Sequence, residues 1–356
     1  MKSSGMATGH IESPPPAWQS NAAQDIPVAV NATVDKYFLA GMGHLVSQGA
    51  PTAERPIEQL GPNAFVYEEV AVVVRYITPA ELQALHRRRI RKLYYVIDDD
   101  MHALVRDPHQ PLSYRWRIWR FMRGPQKQLR KWPLAIVAPS RVILDRWDVE
   151  EKHLLHPVML APPPGTAHFA DMSTIRAIFM GSRSHLHDLK AILPGLLRWL
   201  DETPHARLDV FLGRHCPRSL RKHPSVRNRD PVPWPRFRAF LQQQRYHLAL
   251  APMLDTPVNH ARSINKLLDC AAVGACGVFS RGCYELHDAI THRKNAFLLG
   301  TEASCWAGFL KGLVGDGAAM AAISGKGQEL ASKLGRQDNF SRFWQTAFDL
   351  QEKSRG

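Results

Sequence analysis

Two short stretches carry residues whose types and spacing could do chemistry. The first is Tyr94-Tyr-Val-Ile-Asp-Asp-Asp-Met101, where an apolar run meets three consecutive carboxylates. Asp98 and Asp100 have the D-x-D spacing that can hold a divalent ion against a diphosphate. Asp98 or Asp99 could instead orient or deprotonate a hydroxyl, and any of the three could cap a helix beginning near Met101. The second stretch is Ala261-Arg-Ser-Ile-Asn-Lys-Leu-Leu-Asp269. Ser263 can cap the helix that follows it, and a helix N-terminus offers free N–H groups and a partial positive charge to an anion. Arg262 and Lys266, four residues apart, can point at one anion, arginine as a fork and lysine as a point charge. Asp269 lies about one turn deeper, where a carboxylate can accept from a ribose diol.

The elements that must position these residues follow from pattern. Ala71-Val-Val-Val-Arg75 suits a buried strand, and Thr78-Pro-Ala-Glu81 is a capping box with proline at the first helical position. That helix is expected to run through Leu82 and Leu85 into the basic segment ending at Lys92, before Leu93–Ile97 returns to strand. Strand, helix, strand is the parallel βαβ pattern. A second such unit begins at Pro133–Ala138, and 161–168 (APPPGTAH) is the best linker in the chain. Beyond it, strands at 175–180, 207–212, 247–251 and 277–280 alternate with helices around 186–197, 235–244 and 263–273. The expected class is α/β, with two Rossmann-like doubly wound domains facing a cleft into which strand C-termini point. The boundaries read as a leader at 1–25, an N-terminal domain at 26–165, a C-terminal domain at 170–335 and a terminal helix at 338–356. The spacing of Phe340, Phe343, Trp344, Ala347 and Phe348 gives that helix an apolar stripe, expected to pack back on the N-terminal domain. Residues 27–76 are otherwise hard to read.

Composition narrows the partners. With 45% hydrophobic and 22% charged residues among 356, the chain is globular rather than disordered. No apolar run approaches the roughly 18–20 residues that span a bilayer. Five cysteines, odd in number and without a CxxC pair, argue against a disulfide framework or a zinc site; they read as small core residues in a reducing cytoplasm. A formal charge of +14 points to anionic ligands or surfaces. The stretch YRWRIWRFMRGPQKQLRKW (114–132), wound as a helix, puts Ile118, Trp119, Phe121 and Met122 on one side and Arg117, Arg120 and Arg123 on the other, with Trp116 among them. Such a helix suits an anionic membrane surface or simple core packing. A nucleic-acid partner would rest on charge alone.

The 251–280 segment resembles the nucleotide-binding core of GT-B glycosyltransferases of the family 4 type, a group tied to bacterial surface glycans. The matching residues are Asp255-Thr-Pro-Val-Asn259, Arg262-Ser263, Lys266, Leu268-Asp269, Ala272, Gly274, Val278 and Ser280, followed by Tyr284. Phe179-Met-Gly-Ser-Arg-Ser-His-Leu-His-Asp-Leu189 and Tyr95-Val-Ile-Asp-Asp-Asp100 match two further motifs in the expected order. The chain carries Asp269 where the family usually has Glu, and Ala261 where an upstream Glu is common. The resemblance implies a metal-independent, retaining transfer of a sugar from a nucleoside diphosphate to the hydroxyl of a glycan or lipid-linked acceptor, with no cofactor. It implies a cytoplasmic enzyme, peripheral on the inner face of the membrane. Arg262, Ser263 and Lys266 would hold the diphosphate and Asp269 the ribose. Ser182 and Arg183 would also reach phosphate and His185 and Asp188 the sugar, while Asp98, Asp99 and Asp100 would form the catalytic triplet, Asp98 or Asp99 serving the acceptor hydroxyl. The alternative is a non-catalytic GT-B-like binding or assembly protein.

Overall fold

The structure is a computed structural model, described over residues 31–313 and 315–350. The leader expected at 1–25 and the last residues of the expected terminal helix lie outside this range.

Seven strands form the first sheet, in spatial order identical to sequence order: β1 (Val46–Ser47), β2 (Ile57–Gln59), β3 (Ala64–Tyr67), β4 (Val70–Val74), β5 (Lys92–Val96), β6 (Leu134–Ala138) and β7 (Glu151–Leu154). The β4–β7 half is parallel, whereas β3 pairs antiparallel with both β2 and β4. The segment that resists reading by pattern therefore holds three strands of two to four residues, too short to show alternation. Six parallel strands form the second sheet: β8 (Ile175–Phe179), β9 (Ala206–Val210), β10 (Val226–Asn228), β11 (Leu248–Ala251), β12 (Cys276–Ser280) and β13 (Phe297–Leu299), in the order β10-β9-β8-β11-β12-β13. The winding direction reverses between β8 and β11, which opens a crevice at their C-terminal ends.

Local rules explain the element ends. Thr78 and Glu81 form the capping box at Pro79–His86. That helix stops at His86 rather than Lys92, because continuing it would stack a run of like charges. Arg88 pairs instead with Glu58 at 2.5 Å, while Arg89 and Arg91 pair with Glu69 at 3.3 and 2.6 Å. In the basic aromatic stretch, helix Leu112–Phe121 gives way to one wide turn through Pro125, then Lys127–Leu129. Ile118 faces the core, but Trp119 does not share its burial: it is 42% exposed, and Trp116 58%. Four cysteines are buried; Cys305 is exposed and departs from the core reading.

Helix Gln337–Ala347 returns to the first sheet. Its Phe340 and Trp344 join Phe38, Phe65, Tyr94 and Val96 in one core cluster, and Trp344 Nε1 donates to the Tyr37 carbonyl at 3.0 Å. Burying such aromatic side chains is worth roughly 1.5–3 kcal/mol each, which fixes this helix on the first sheet. No helix among the described residues is long and apolar enough to cross a membrane.

Candidate functional site

A cleft of about 290 Å³ lies where the C-terminal edges of the two sheets meet. Thr33, Lys36 and Tyr37, from the first described helical turns, line it together with Arg75 after β4 and Asp98 after β5. From the other half come Met180, Ser182 and His185 after β8, Met253 after β11, and Arg262, Ser263, Asn265, Lys266 and Asp269 around the Asn265–Ala272 helix. The switch between β8 and β11 thus supplies the crevice, as the winding rule requires. Gly282 lets the loop after β11 pass closely, since a Cβ there would sit 2.2 Å from the Leu254 carbonyl oxygen.

The three consecutive carboxylates have three different fates. Asp100 caps helix Met101–Arg106, accepting from Ala103 N at 3.0 Å, and binds Arg146 Nε at 3.1 Å. It does not line the cleft, so the D-x-D pair is not turned toward one ion. Asp99 is buried and gripped by two guanidiniums: Arg75 in a short contact, and Arg262 of the other half at 2.5 Å. Asp98 accepts from Thr33 Oγ1 at 2.8 Å and lies 3.4 Å from Arg75. Burial pushes both carboxyls up. For Asp99 the charges of Arg75 and Arg262 outweigh burial and hold it below the usual carboxylate range. For Asp98, burial and the neighbouring Asp99 charge win against Arg75 and hold it above that range. Adjacent carboxylates driven apart in this way divide acid and base roles.

Arg75 is the pivot. It is held at φ +62°, a region sparsely used by residues with a side chain. Its N–H donates to the Val96 carbonyl at 2.7 Å, which fixes it beside the end of β5. Arg75 Nε, Asp98 Oδ1 and Arg262 Nε are buried with no hydrogen-bond partner among the described residues. Buried groups of this kind call for a polar ligand or water.

On the opposite wall, Ser263 is buried and accepts from Asn265 N at 3.2 Å, but the helix-capping place itself belongs to Ile264. Lys266 donates to the Met180 carbonyl at 2.6 Å and lies 3.8 Å from Asp269. Burial above all holds Lys266 below its ordinary range. Asp269 also carries a 2.7 Å ion pair with Lys36, so the carboxylate read as a ribose acceptor is engaged by two lysines. Asp188 is buried and organises the loop after β11, accepting from Leu254 N at 3.0 Å and Asn259 Nδ2 at 2.8 Å. It also meets His185 Nδ1 at 3.2 Å. Burial, reinforced by Arg262 and Lys266 against the pull of Asp188, holds His185 below the usual imidazole value and keeps it neutral. Ser182 reaches the cleft and meets Ser184 Oγ at 2.9 Å. Arg183 is exposed and stands outside the lining.

The structure therefore brings Asp98, Ser182, His185, Arg262, Ser263, Lys266 and Asp269 to one cavity, with Asp99 behind it. Asp100 and Arg183 lie elsewhere. Sequence reading misses Thr33, Lys36, Tyr37 and Arg75. Arg75 had a usable signal: a charged residue ending the strand adjacent to the one that ends in Asp98. Thr33 and Lys36 had none, because a 65-residue and a 233-residue separation joins them to their partners.

Four cations (Lys36, Arg75, Arg262, Lys266) meet three carboxylates here (Asp98, Asp99, Asp269). Four cations against three carboxylates leave the cleft a positive surplus, able to draw an anion.

No family model matches the chain, and no curated protein matches it by sequence. Solved structures do match its fold. Sucrose-phosphate synthase from Thermosynechococcus elongatus aligns with a TM-score of 0.56 at 10% identity, covering 81% of this chain and 74% of that one. HepE of Anabaena, in complex with UDP and glucose, aligns at 0.53 and 13% identity, covering 80% and 78%. TarM of S. aureus aligns at 0.55 and 12% identity over 78% of this chain, which spans only 54% of TarM. These neighbours are GT-B glycosyltransferases, and the fold of this chain is GT-B.

Proposed function

We propose that this chain is a glycosyltransferase that moves a sugar from a nucleoside diphosphate to an acceptor hydroxyl, in the synthesis of a polysaccharide or other glycan. One observation carries the reading. Arg262, Ser263 and Lys266 meet Ser182 at the winding switch of a GT-B C-terminal sheet, in a cleft with surplus positive charge and a buried, unpartnered Arg262 Nε. That is the geometry for a diphosphate whose charge grows as the sugar leaves, and fixed cations lower such a barrier without reorganising. UDP is the first nucleotide to test, since HepE is described in complex with UDP and with UDP-glucose. Asp98, held above its usual range beside the opening, is the group that takes or orients the acceptor proton. Arg75 pairs with Asp98, Arg146 with Asp100, and Arg75 and Arg262 with Asp99, so the carboxylates a divalent ion would need are already engaged, which supports a metal-independent reaction. A retaining outcome and a glycan or lipid-linked acceptor at an anionic membrane surface belong to the same proposal.

Thermal shift with UDP, GDP and ADP tests the donor site. A ligand at about a hundred times its Kd raises stability by about 2.7 kcal/mol. Arg262→Ala combined with Lys266→Ala is expected to abolish the shift. No shift of the native protein with any of the three overturns the reading. Turnover is expected to survive chelation and to fall at least about a hundredfold in Asp98→Asn.

A second reading, a non-catalytic GT-B-like binding or assembly protein, draws on one observation: Lys36 already holds Asp269. Nucleotide binding without sugar release in any donor mixture would favour it.

A further inference from the structure

The largest cavity described, about 620 Å³, lies away from the cleft and shares no lining residue with it. Arg123, Lys127 and Arg130 form one wall; spaced four and three residues apart, they fall on one face of the segment that follows helix Leu112–Phe121. Arg106 and His102, four apart on the helix capped by Asp100, form the opposite wall. The lining contains no carboxylate. The nearest by sequence, Asp107 and Asp100, stand outside the lining and are engaged elsewhere: Asp107 accepts from His109 N at 2.9 Å and Gln110 Nε2 at 3.0 Å, and Asp100 from Ala103 N and Arg146 Nε. Among the described residues, Arg106, Arg123, Lys127 and Arg130 have no ion-pair partner, whereas every charged residue of the cleft lining has one.

Two of these arginines are held in place. Arg123 lies over the Trp119 ring with its carbon 5.0 Å from the centroid, and Arg130 over Trp147 at 4.9 Å. Stacking of this kind removes part of the rotamer freedom that binding would otherwise cost. Burial above all holds His102 below the ordinary imidazole range; Asp100 pulls the other way, and Arg106, Arg146 and Arg130 push with the burial. Four like charges around one void repel each other, and a doubly charged anion with several acceptor oxygens reverses that repulsion through forked contacts. The half-exposed indole of Trp119 adds an apolar platform beside the charges.

We infer that this cavity is a second anion site, built for the phosphomonoester or pyrophosphate group of an organic phosphate whose sugar or hydrocarbon part rests on Trp119. The site stands independently of the donor cleft. Only its use, as an anchor for a phosphorylated acceptor, rests on the glycosyltransferase reading. The phosphate could be carried by a soluble sugar phosphate or by a lipid headgroup, and the chemistry recognised is the same.

The test uses the full chain and two probe sets: glucose 1-phosphate and inorganic pyrophosphate in solution, and phosphatidylcholine vesicles with or without phosphatidic acid. Arg123→Gln with Lys127→Gln is compared with Arg106→Gln with Arg130→Gln on the facing wall. Arg117→Gln with Arg120→Gln, outside the cavity on the same helix, removes equal charge as a control. Loss of one charge-assisted contact is worth about tenfold, so each cavity pair is expected to weaken binding at least about tenfold while the control pair does not. The donor-site pair Arg262→Ala with Lys266→Ala should leave this binding intact, so failure here and failure of the donor reading give different results. Binding of the soluble probes assigns a sugar phosphate; binding only to phosphatidic acid vesicles assigns a headgroup. If no probe binds, or if the control pair weakens binding as much as the cavity pairs, the site does not exist and only net charge remains.

Discussion

The cleft and the basic cavity are both rich in cations, yet they treat them in opposite ways. In the cleft each guanidinium or ammonium has a carboxylate: Arg75 and Arg262 share Asp99, and Lys36 and Lys266 share Asp269. In the cavity, Arg106, Arg123, Lys127 and Arg130 face one another and solvent. The difference follows burial. A charge withdrawn from water must be paired, because its desolvation costs several kcal/mol. A charge left in water is screened and needs no partner. Cleft charges are therefore part of what holds the two halves together, and cavity charges are free to be used by something else.

The largest expected effect exploits that contrast. Asp99→Ala leaves two guanidiniums facing each other across the halves of the molecule. Breaking a buried pair costs about 3–5 kcal/mol, and partial exposure of Arg75 and Arg262 brings the expected loss to the lower end, about 3 kcal/mol in urea unfolding. Arg123→Gln, which removes one charge from the cavity, is expected to change stability by less than about 0.5 kcal/mol, or to raise it. Equal losses from the two substitutions would erase the distinction.

How much of this was legible in the sequence divides along the same line. The donor wall is local: Arg262, Ser263, Lys266 and Asp269 fall within eight positions at the start of one helix, so spacing alone brings them together. The strands β4, β5, β6, β8, β11 and β12 are buried on both faces and read as continuous apolar runs. The acceptor wall is nonlocal. Thr33, Lys36 and Arg75 join Asp98 and Asp269 only because β4 lies beside β5 and the first helical turns cross to the other half, and no period in the chain encodes that. The cavity was half legible: the basic face of the 114–132 stretch was plain, but the approach of His102 and Arg106, on a helix of their own, was not.

Asp100 offers a smaller and sharper test, because it stands between the two regions. It caps the helix that forms one cavity wall while its two neighbours serve the cleft. Removing an N-cap costs about 1 kcal/mol. The pair with Arg146, a side chain 50% exposed, adds less than about 1 kcal/mol. Asp100→Ala is therefore expected to lose about 1–2 kcal/mol in urea unfolding, and Asp100→Asn, which keeps the capping oxygen, under half of that. Nucleotide binding should not change in either. A loss of nucleotide binding in Asp100→Asn would place Asp100 in the cleft and undo its assignment as a cap.

The finest test is a slope rather than an offset, and it separates Asp98 from Asp99. An unfolded aspartate titrates near about 3.9. Asp98 in the native protein titrates above that value. As pH rises from there through the native value, the folded chain keeps a proton that the unfolded chain has released. The Asp98 contribution to stability is full below this window and is lost as pH rises through it. Asp99 runs the other way. Its native value is lowered, so its contribution is full above about 3.9 and is lost as pH falls through the native value. The stability of the native protein relative to Asp98→Asn should thus decline from acid to neutral pH, while its stability relative to Asp99→Asn should climb. Opposite slopes mean that the arginines polarise the pair and leave Asp98 as the proton-accepting member. Slopes of the same sign would mean that the two carboxyls share one proton as a unit, and neither could then be assigned the role alone.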